Sequence, residues 1–151
     1  MTQEDKDLLL KDLCERLPYR IICSIYRIDD WGVGWRDEKL TGYFYNGIAY
    51  EFYFGKSPIS IDDISKIKPY LRSMSSMTEE ERKEVENLIK ENRPSPYGII
   101  NNKGIDNLLF SVSVTSGVLT NWLNAHHFDY RGLIPKGLAI EVTKENNPYK
   151  D

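Results

Sequence analysis

Leu9, Leu10, Leu13, Cys14 and Leu17 recur at helical spacing among polar residues, which predicts an amphipathic helix over residues 2–17. Thr2 is placed to cap it, Glu4 and Asp5 fall in the first turn where the helix dipole favours acids, and Pro18 stops it. The period then drops to two. Ile21, Cys23 and Ile25 share one face of residues 20–28, and Ile22, Tyr26 and Ile28 share the other, so this stretch predicts a strand covered on both sides. Residues 29–35 are rich in turn formers, and the charged residues 36–39 lead into a second β-like run over 40–54. Asn46-Gly47 divides that run and predicts a hairpin closed by a type I′ turn, which needs positive φ at both central residues. Such a turn sets Tyr45 opposite Ile48, Tyr43 opposite Tyr50 and Thr41 opposite Phe52 on one face. Leu40, Phe44, Ala49, Glu51 and Tyr53 fall on the other, so both faces are aromatic and the ribbon either lies under helices or shows a face to a partner.

Ile61, Ile64, Ile67 and Leu71 predict a short helix over residues 60–67, limited by Pro69. Thr78-Glu79-Glu80-Glu81 has the form of a capping box and opens a helix over residues 79–92, whose narrow stripe of Val85, Leu88 and Ile89 suits a peripheral position. Pro94, Pro96, Gly98 and residues 101–104 read as loop, and residues 108–114 alternate as a half-buried strand with Phe110, Val112 and Val114 inward. Ser116 caps a further helix with two stripes, Val118-Trp122-His126 and Leu119-Leu123-His127. Residues 138–142 return as a strand, and residues 144–151 read as a frayed tail. Three alanines beside fifteen isoleucines disfavour a helical bundle. The expected fold is therefore α+β, a single globular domain over residues 1–143, in which an antiparallel sheet with the Asn-Gly hairpin is packed by about four helices.

Composition narrows the function classes. The chain has 151 residues and a net charge of -3. Leu, Ile, Val and Phe supply about a quarter of it, above the roughly 20% floor for a packed core. No apolar run approaches the roughly 20 residues a bilayer span needs, and the first seven residues carry no apolar leader segment, so a cytoplasmic protein with no membrane partner is expected. Cys14 and Cys23 lack paired metal or redox spacing and read as buried free thiols. The sequence pI of about 5.5 argues against a nucleic-acid binder, and Lys66, Lys68 and Arg72 read as a solvated face.

Motifs for nucleotide loops, nucleophile elbows, zinc proteases and calcium loops are absent, and Gly32-Val33-Gly34 is only half of a dinucleotide fingerprint. One polar cluster stands out, His126, His127 and Asp129, where two imidazoles and a carboxylate crowd a helix end and suit a metal or a proton shuttle. Adjacent helical residues diverge by about 100°, however, which is poor chelating geometry. The favoured reading has both histidines continuing the apolar stripes at the negative end of the helix, with Asp129 capping the following turn. No catalytic residue, metal ligand or cofactor is expected. Three tryptophans, ten tyrosines and five phenylalanines favour instead a non-enzymatic interaction or adaptor module that binds a protein partner, with Trp31, Trp35, Tyr43, Tyr45 and Tyr50 as its candidate surface. The rivals are a small hydrolase or metal-dependent enzyme built on His126, His127 and Asp129, and a weak nucleic-acid binder using the aromatic ribbon with Lys66, Lys68 and Arg72.

Three stretches carry a resemblance: Asp12-Leu-Cys-Glu-Arg-Leu-Pro-Tyr-Arg-Ile-Ile-Cys23, the run from Lys68 through Pro69, Tyr70, Leu71 and Arg72 to Thr78 and Glu81, and the run from Trp122 through His126, His127, Asp129 and Arg131 to Glu141. They resemble a family of uncharacterised small proteins of gut-bacterial chromosomes and their prophages. Ser73 stands where that pattern has proline, and Arg20 and Pro135 also depart from it. The resemblance implies a mobile-element or accessory-gene context. It implies no activity, and so no site residue is carried over.

Overall fold

The computed structural model describes residues 1–91 and 117–150. Its elements are helix α1 (Gln3–Arg16), strands β1 (Ile22–Asp29), β2 (Gly32–Tyr45), β3 (Tyr50–Phe54), β4 (Ser57–Ser60) and β5 (Ile67–Leu71), helices α2 (Glu79–Glu91) and α3 (Gly117–Ala125), and the short strand β6 (Ile140–Glu141). The six strands form one sheet in the order β4-β3-β2-β1-β5-β6, antiparallel except for β5 with β6, so the chain is the small α+β domain expected of it. The loop over 94–104, the strand over 108–114 and the Ser116 cap lie outside the described residues.

The first helix starts as its sequence dictates. Thr2 Oγ1 accepts from the Asp5 amide at 3.1 Å and Asp5 returns the bond to the Thr2 amide at 3.2 Å, a reciprocal capping box. Its buried face is Leu9, Asp12, Leu13 and Arg16, rotated from the all-apolar stripe the periodicity suggested. That face lies on Ile21, Cys23 and Ile25 of the sheet, with Leu40, Phe52, Phe54, Ile64, Ile67 and Leu71 completing the core.

The hairpin forms, but not with a type I′ turn. Asn46 does not adopt positive φ; its side-chain oxygen accepts from the amides of Ile48 and Ala49, each at 2.9 Å, so residues 46–49 make a four-residue loop. Tyr45 therefore pairs with Tyr50 and Tyr43 with Phe52, two residues away from the predicted partners, and the side chains keep their faces. A bulge between Leu40 and Gly42 then reverses the alternation, which turns Leu40 inward, opposite Phe54, where the simple register had placed it on the face of Phe44 and Tyr53. Gly42 sits at that bulge, where a Cβ would lie 2.2 Å from the exposed Phe44 ring as it stands, so a larger residue there would displace that ring.

Three other expectations change. The helix over 60–67 is a 3₁₀ segment, Ile61–Lys66, and Ile67 and Leu71 belong to β5, with Pro69 within it and the pairing to β6 starting only at Tyr70. Strand β1 is covered on its inner face by α1, but its outer face is bare at Ile28. The C-terminal residues do not fray as a tail: the Tyr149 hydroxyl donates to the Tyr70 carbonyl at 2.9 Å and accepts from the Ile22 amide at 3.2 Å, linking the ends of β1 and β5. Helix α2 carries the capping box predicted for it, and its Val85 and Ile89 pack with Met77, Leu119, Leu123 and Phe128 in a second cluster beside the main core.

Replacing Tyr149 with Phe removes the group that serves both Ile22 and Tyr70 at a part-buried site. The expected loss of unfolding free energy is about 1–3 kcal/mol by urea denaturation, as for a pair of stranded backbone groups.

Candidate functional site

Two features of the surface and interior invite a functional reading, and they lie apart. The first is a buried polar network at the junction of α1, α3 and the segment that follows α3. Asp12 and Arg16 have no exposed surface, and Arg16 Nε donates to Asp12 Oδ2 at 2.7 Å across one helical turn. Arg131 Nη1 donates to the other Asp12 oxygen at 2.8 Å and its Nη2 donates to Glu15, so one carboxylate bridges two guanidinium groups. Arg16 Nη2 donates to the Phe128 carbonyl at 2.7 Å, and the Tyr130 hydroxyl donates to the Asn124 side chain at 3.0 Å. The Tyr130 ring lies under Arg131 and Arg16, at 4.5 and 5.5 Å from its centroid, and burial pushes its hydroxyl up to about 12.

Helix α3 ends in a Schellman motif. Phe128 N–H bonds the Leu123 carbonyl at 3.0 Å and His127 N–H the Asn124 carbonyl at 3.1 Å, which puts His127 in the left-handed region at φ 60°. The next backbone groups join β5: Arg72 N–H bonds the His127 carbonyl and Asp129 N–H the Arg72 carbonyl, both at 2.8 Å. Arg72 itself makes two bonds to Glu81, at 2.7 and 2.8 Å, and lies 4.2 Å over the Phe128 ring.

The histidine cluster is thereby taken apart. The His126 ring stacks on Trp122 at 3.9 Å with its Nδ1 2.8 Å from the Trp122 carbonyl, whereas the His127 ring stacks on Tyr149 at 4.1 Å. Both Asp129 oxygens accept backbone amides, those of Leu133 and Ile134, at 2.8 Å each, which is the turn-capping role its position suggested. The helix ends at Ala125, so the histidines do not continue its stripes; they cap it. Among the described residues no group of three or more His, Cys, Asp or Glu side chains is placed to hold a metal ion. The other cations of interest are also engaged, Lys66 with Asp63 at 2.9 Å and Lys68 over the Trp35 ring at 5.8 Å. The thiol of Cys23 is fully buried, and burial raises it well above the ordinary cysteine range.

The second feature is exposed apolar surface at the two ends of β2. At one end are Trp31, 89% exposed in the β1–β2 turn, with Ile28, Val33 and Trp35 on the outer face. At the other, the hairpin tip presents Phe44, Tyr45, Ile48 and Tyr50, with Ile48 also 89% exposed. The five aromatics singled out from sequence thus fall into two separate groups. Tyr43 is half-buried against the core, its ring stacked on Tyr50 at 5.2 Å and tilted against Phe52 at 4.6 Å.

Sequence reasoning missed Ile28, Val33, Phe44 and Ile48 on the surface and Asp12, Arg16, Asn124 and Arg131 in the interior. A signal for the network was present: Leu9, Asp12, Leu13 and Arg16 follow the i, i+3, i+4, i+7 spacing of a buried helical face. No family model, curated protein or solved structure matches the chain, and among the described residues no helix is long and apolar enough to cross a membrane.

Asp12→Ala strands two guanidinium groups, one of them without solvent access, and is expected to cost about 3–5 kcal/mol of stability in a denaturant titration. His127 gives a pH dependence. Burial, helped by the neighbouring Arg16 charge, lowers its pKa from 6.5 to about 4, so the unfolded chain binds the proton more tightly. The stability that His127 contributes is complete above pH 6.5 and falls as pH is lowered toward 4, by about 3 kcal/mol in all. His127→Asn, which also tolerates the left-handed backbone, should flatten that part of the curve in urea titrations between pH 4 and 7.

Proposed function

We propose that the protein is a non-enzymatic interaction module, of mobile-element or accessory origin, that binds a partner protein through the tip of the β2–β3 hairpin. The observation that carries this reading is the exposure of Ile48 on a loop whose backbone is pinned by the Asn46 side chain. An apolar side chain held out in a fixed position loses little conformational entropy when it is covered. Tyr45 and Tyr50 flank it with rings 5.2 Å apart, and Phe44 stands edge-on to Tyr53 at 5.6 Å, so the tip offers rigid aromatic area of the kind that anchors protein interfaces.

The chemistry of the tip favours protein over nucleic acid. Residues 43–52 include no lysine or arginine and one acid, Glu51, so the surface has no counterion-releasing contact to offer a phosphate backbone. The buried network supports a scaffold role for the rest of the chain. Its charges are spent on one another and on backbone groups, and the three stretches that resemble the accessory-protein family meet there, in Asp12 and Arg16, Arg72, and His127 through Arg131.

Ile48→Asp tests the reading. The variant should fold with unchanged thermal stability, since the side chain is exposed, and should lose at least about tenfold in affinity for proteins that the unaltered chain retains in a cross-linking and capture experiment. Partners held equally by both chains, or binding to single-stranded DNA that weakens steeply with salt, would count against it.

A further inference from the structure

Asn46-Gly47 is the one place in the 151 residues where glycine follows asparagine. That dipeptide has a chemistry of its own besides turning the chain. The backbone nitrogen of the second residue can attack the side-chain carbonyl carbon of the first and close a five-membered ring, and a side chain on the second residue hinders the approach. Gly47 has none, and a Cβ built on it would meet nothing within 4 Å. Both residues are exposed at the tip of the β2–β3 hairpin, so water reaches such a ring once it has formed.

The loop supplies further requirements. Asn46 Oδ1, the atom on which negative charge develops as the nitrogen attacks, already accepts from the amides of Ile48 and Ala49 at 2.9 Å each. Two backbone donors at that distance polarise the carbonyl and stabilise the charged intermediate, as an oxyanion hole does. Among the described residues neither the Gly47 N–H nor the Asn46 side-chain NH2 makes a hydrogen bond, so the nucleophile and the leaving group are both unencumbered. The rest of the tip is held in place, with the Asn46 N–H on the Ala49 carbonyl at 3.0 Å and the Tyr45 hydroxyl on the Gly47 carbonyl at 3.1 Å.

We propose that Asn46 is a self-modification site, at which the chain converts its own side-chain amide to aspartate and isoaspartate and so releases the pinned tip. The Gly47 nitrogen bonds to Asn46 Cγ and loses its proton, the Cγ–Nδ2 bond breaks, and ammonia departs with that proton, leaving a succinimide. Water then opens the ring. Cleavage of the new bond to Cγ gives aspartate, whose carboxylate still accepts from Ile48 and Ala49. Cleavage of the original peptide bond between residues 46 and 47 gives isoaspartate, in which the main chain runs through Cβ and Cγ and is one carbon longer. The Cγ carbonyl is then part of the main chain, and the loop that closes on Tyr45↔Tyr50 is too long for its present bonds. The pins to Ile48 and Ala49 are lost, and with them the rigidity that holds Ile48 out for a partner. The conversion is intrinsic to the chain; only its effect on binding rests on the hairpin-tip reading.

The test incubates the folded full chain at mildly alkaline pH and follows it by peptide mapping with mass spectrometry, by methyl transfer from a protein isoaspartyl methyltransferase, and by amide hydrogen exchange. Asn46 should convert at least about tenfold faster than any other asparagine of the chain, with release of ammonia, and the isoaspartate form should accept methyl groups. In that form the amides of Ile48 and Ala49 should lose protection, whereas Asn46→Asp should keep it. Asn46→Ser, which retains an acceptor oxygen but has no amide to lose, should stay unmethylated at the tip. An Asn46 that survives while other asparagines convert, or an isoaspartate form whose Ile48 and Ala49 amides are as protected as before, would overturn the proposal. If the isoaspartate form exchanges freely there and still captures the proteins that the unaltered chain retains, the hairpin-tip reading fails and this inference stands.

Discussion

The structure turns on the Asp12 carboxylate. It sits without solvent access on the face of α1 that meets the sheet, and it is held by two guanidinium groups, Arg16 from its own helix and Arg131 from the far end of the chain. Taking these charges out of water costs several kcal/mol per ion, and the cost is offset only when every partner is in place. Asp12 supplies both oxygens, Arg16 also reaches the Phe128 carbonyl, and Arg131 also reaches Glu15. Helix α1 therefore docks in one rotation, with the segment from Asn124 to Arg131 closed over it.

That closure fixes the elements around it. The Phe128 carbonyl that accepts from Arg16 belongs to the Schellman motif at the end of α3, and the same turn hydrogen-bonds Arg72 at the end of β5. Arg72 in turn binds Glu81 at the start of α2, where Glu81 also completes the capping box, and Arg72 holds the Glu81 carboxyl below its ordinary range. A continuous set of charged and backbone bonds thus joins the sheet to the smaller cluster of α2 and α3. His127 is left-handed and part-buried because the motif needs that conformation between two anchored neighbours. Its ring then has only Tyr149 to stack on, and its Nδ1, like Arg16 Nη1, is buried with no partner among the described residues. Burial of the ring, with the Arg16, His126 and Arg72 charges around it, makes the charged imidazole costly, which is the physical basis of its low pKa.

The interior and the exposed surfaces are separated by the geometry of β2. This strand pairs with β1 through its first half and with β3 through its second, and the bulge at Leu40 and Gly42 divides the two. The apolar residues of the two turns at its ends are uncovered, while Leu40 within it and Phe52 and Phe54 beside it on β3 are buried. One long strand therefore builds a core at its centre and presents Trp31 and Ile48 at its extremities.

What the residues determine locally was legible in the sequence. The caps at Thr2 and Thr78, the hairpin at Asn46-Gly47, the strand over 20–28 and the α+β class follow from short-range periodicity and from side chains that bond their own neighbours, interactions that need nothing distant. Register and burial did not follow, because each depends on a long-range partner. A bulge moved Leu40 inward, pairing with β1 and with β6 made Ile67 and Leu71 strand where their spacing suggested helix, and Tyr149 found its acceptor on β5. The polar face of α1 escaped an apolar-stripe reading because Asp12 and Arg16 belong inside only once Arg131 and the Phe128 carbonyl are beside them, more than a hundred residues along the chain. Likewise the pair of histidines, adjacent in sequence, was parted by one left-handed residue, since the tertiary structure and not the spacing decides where two neighbouring side chains point.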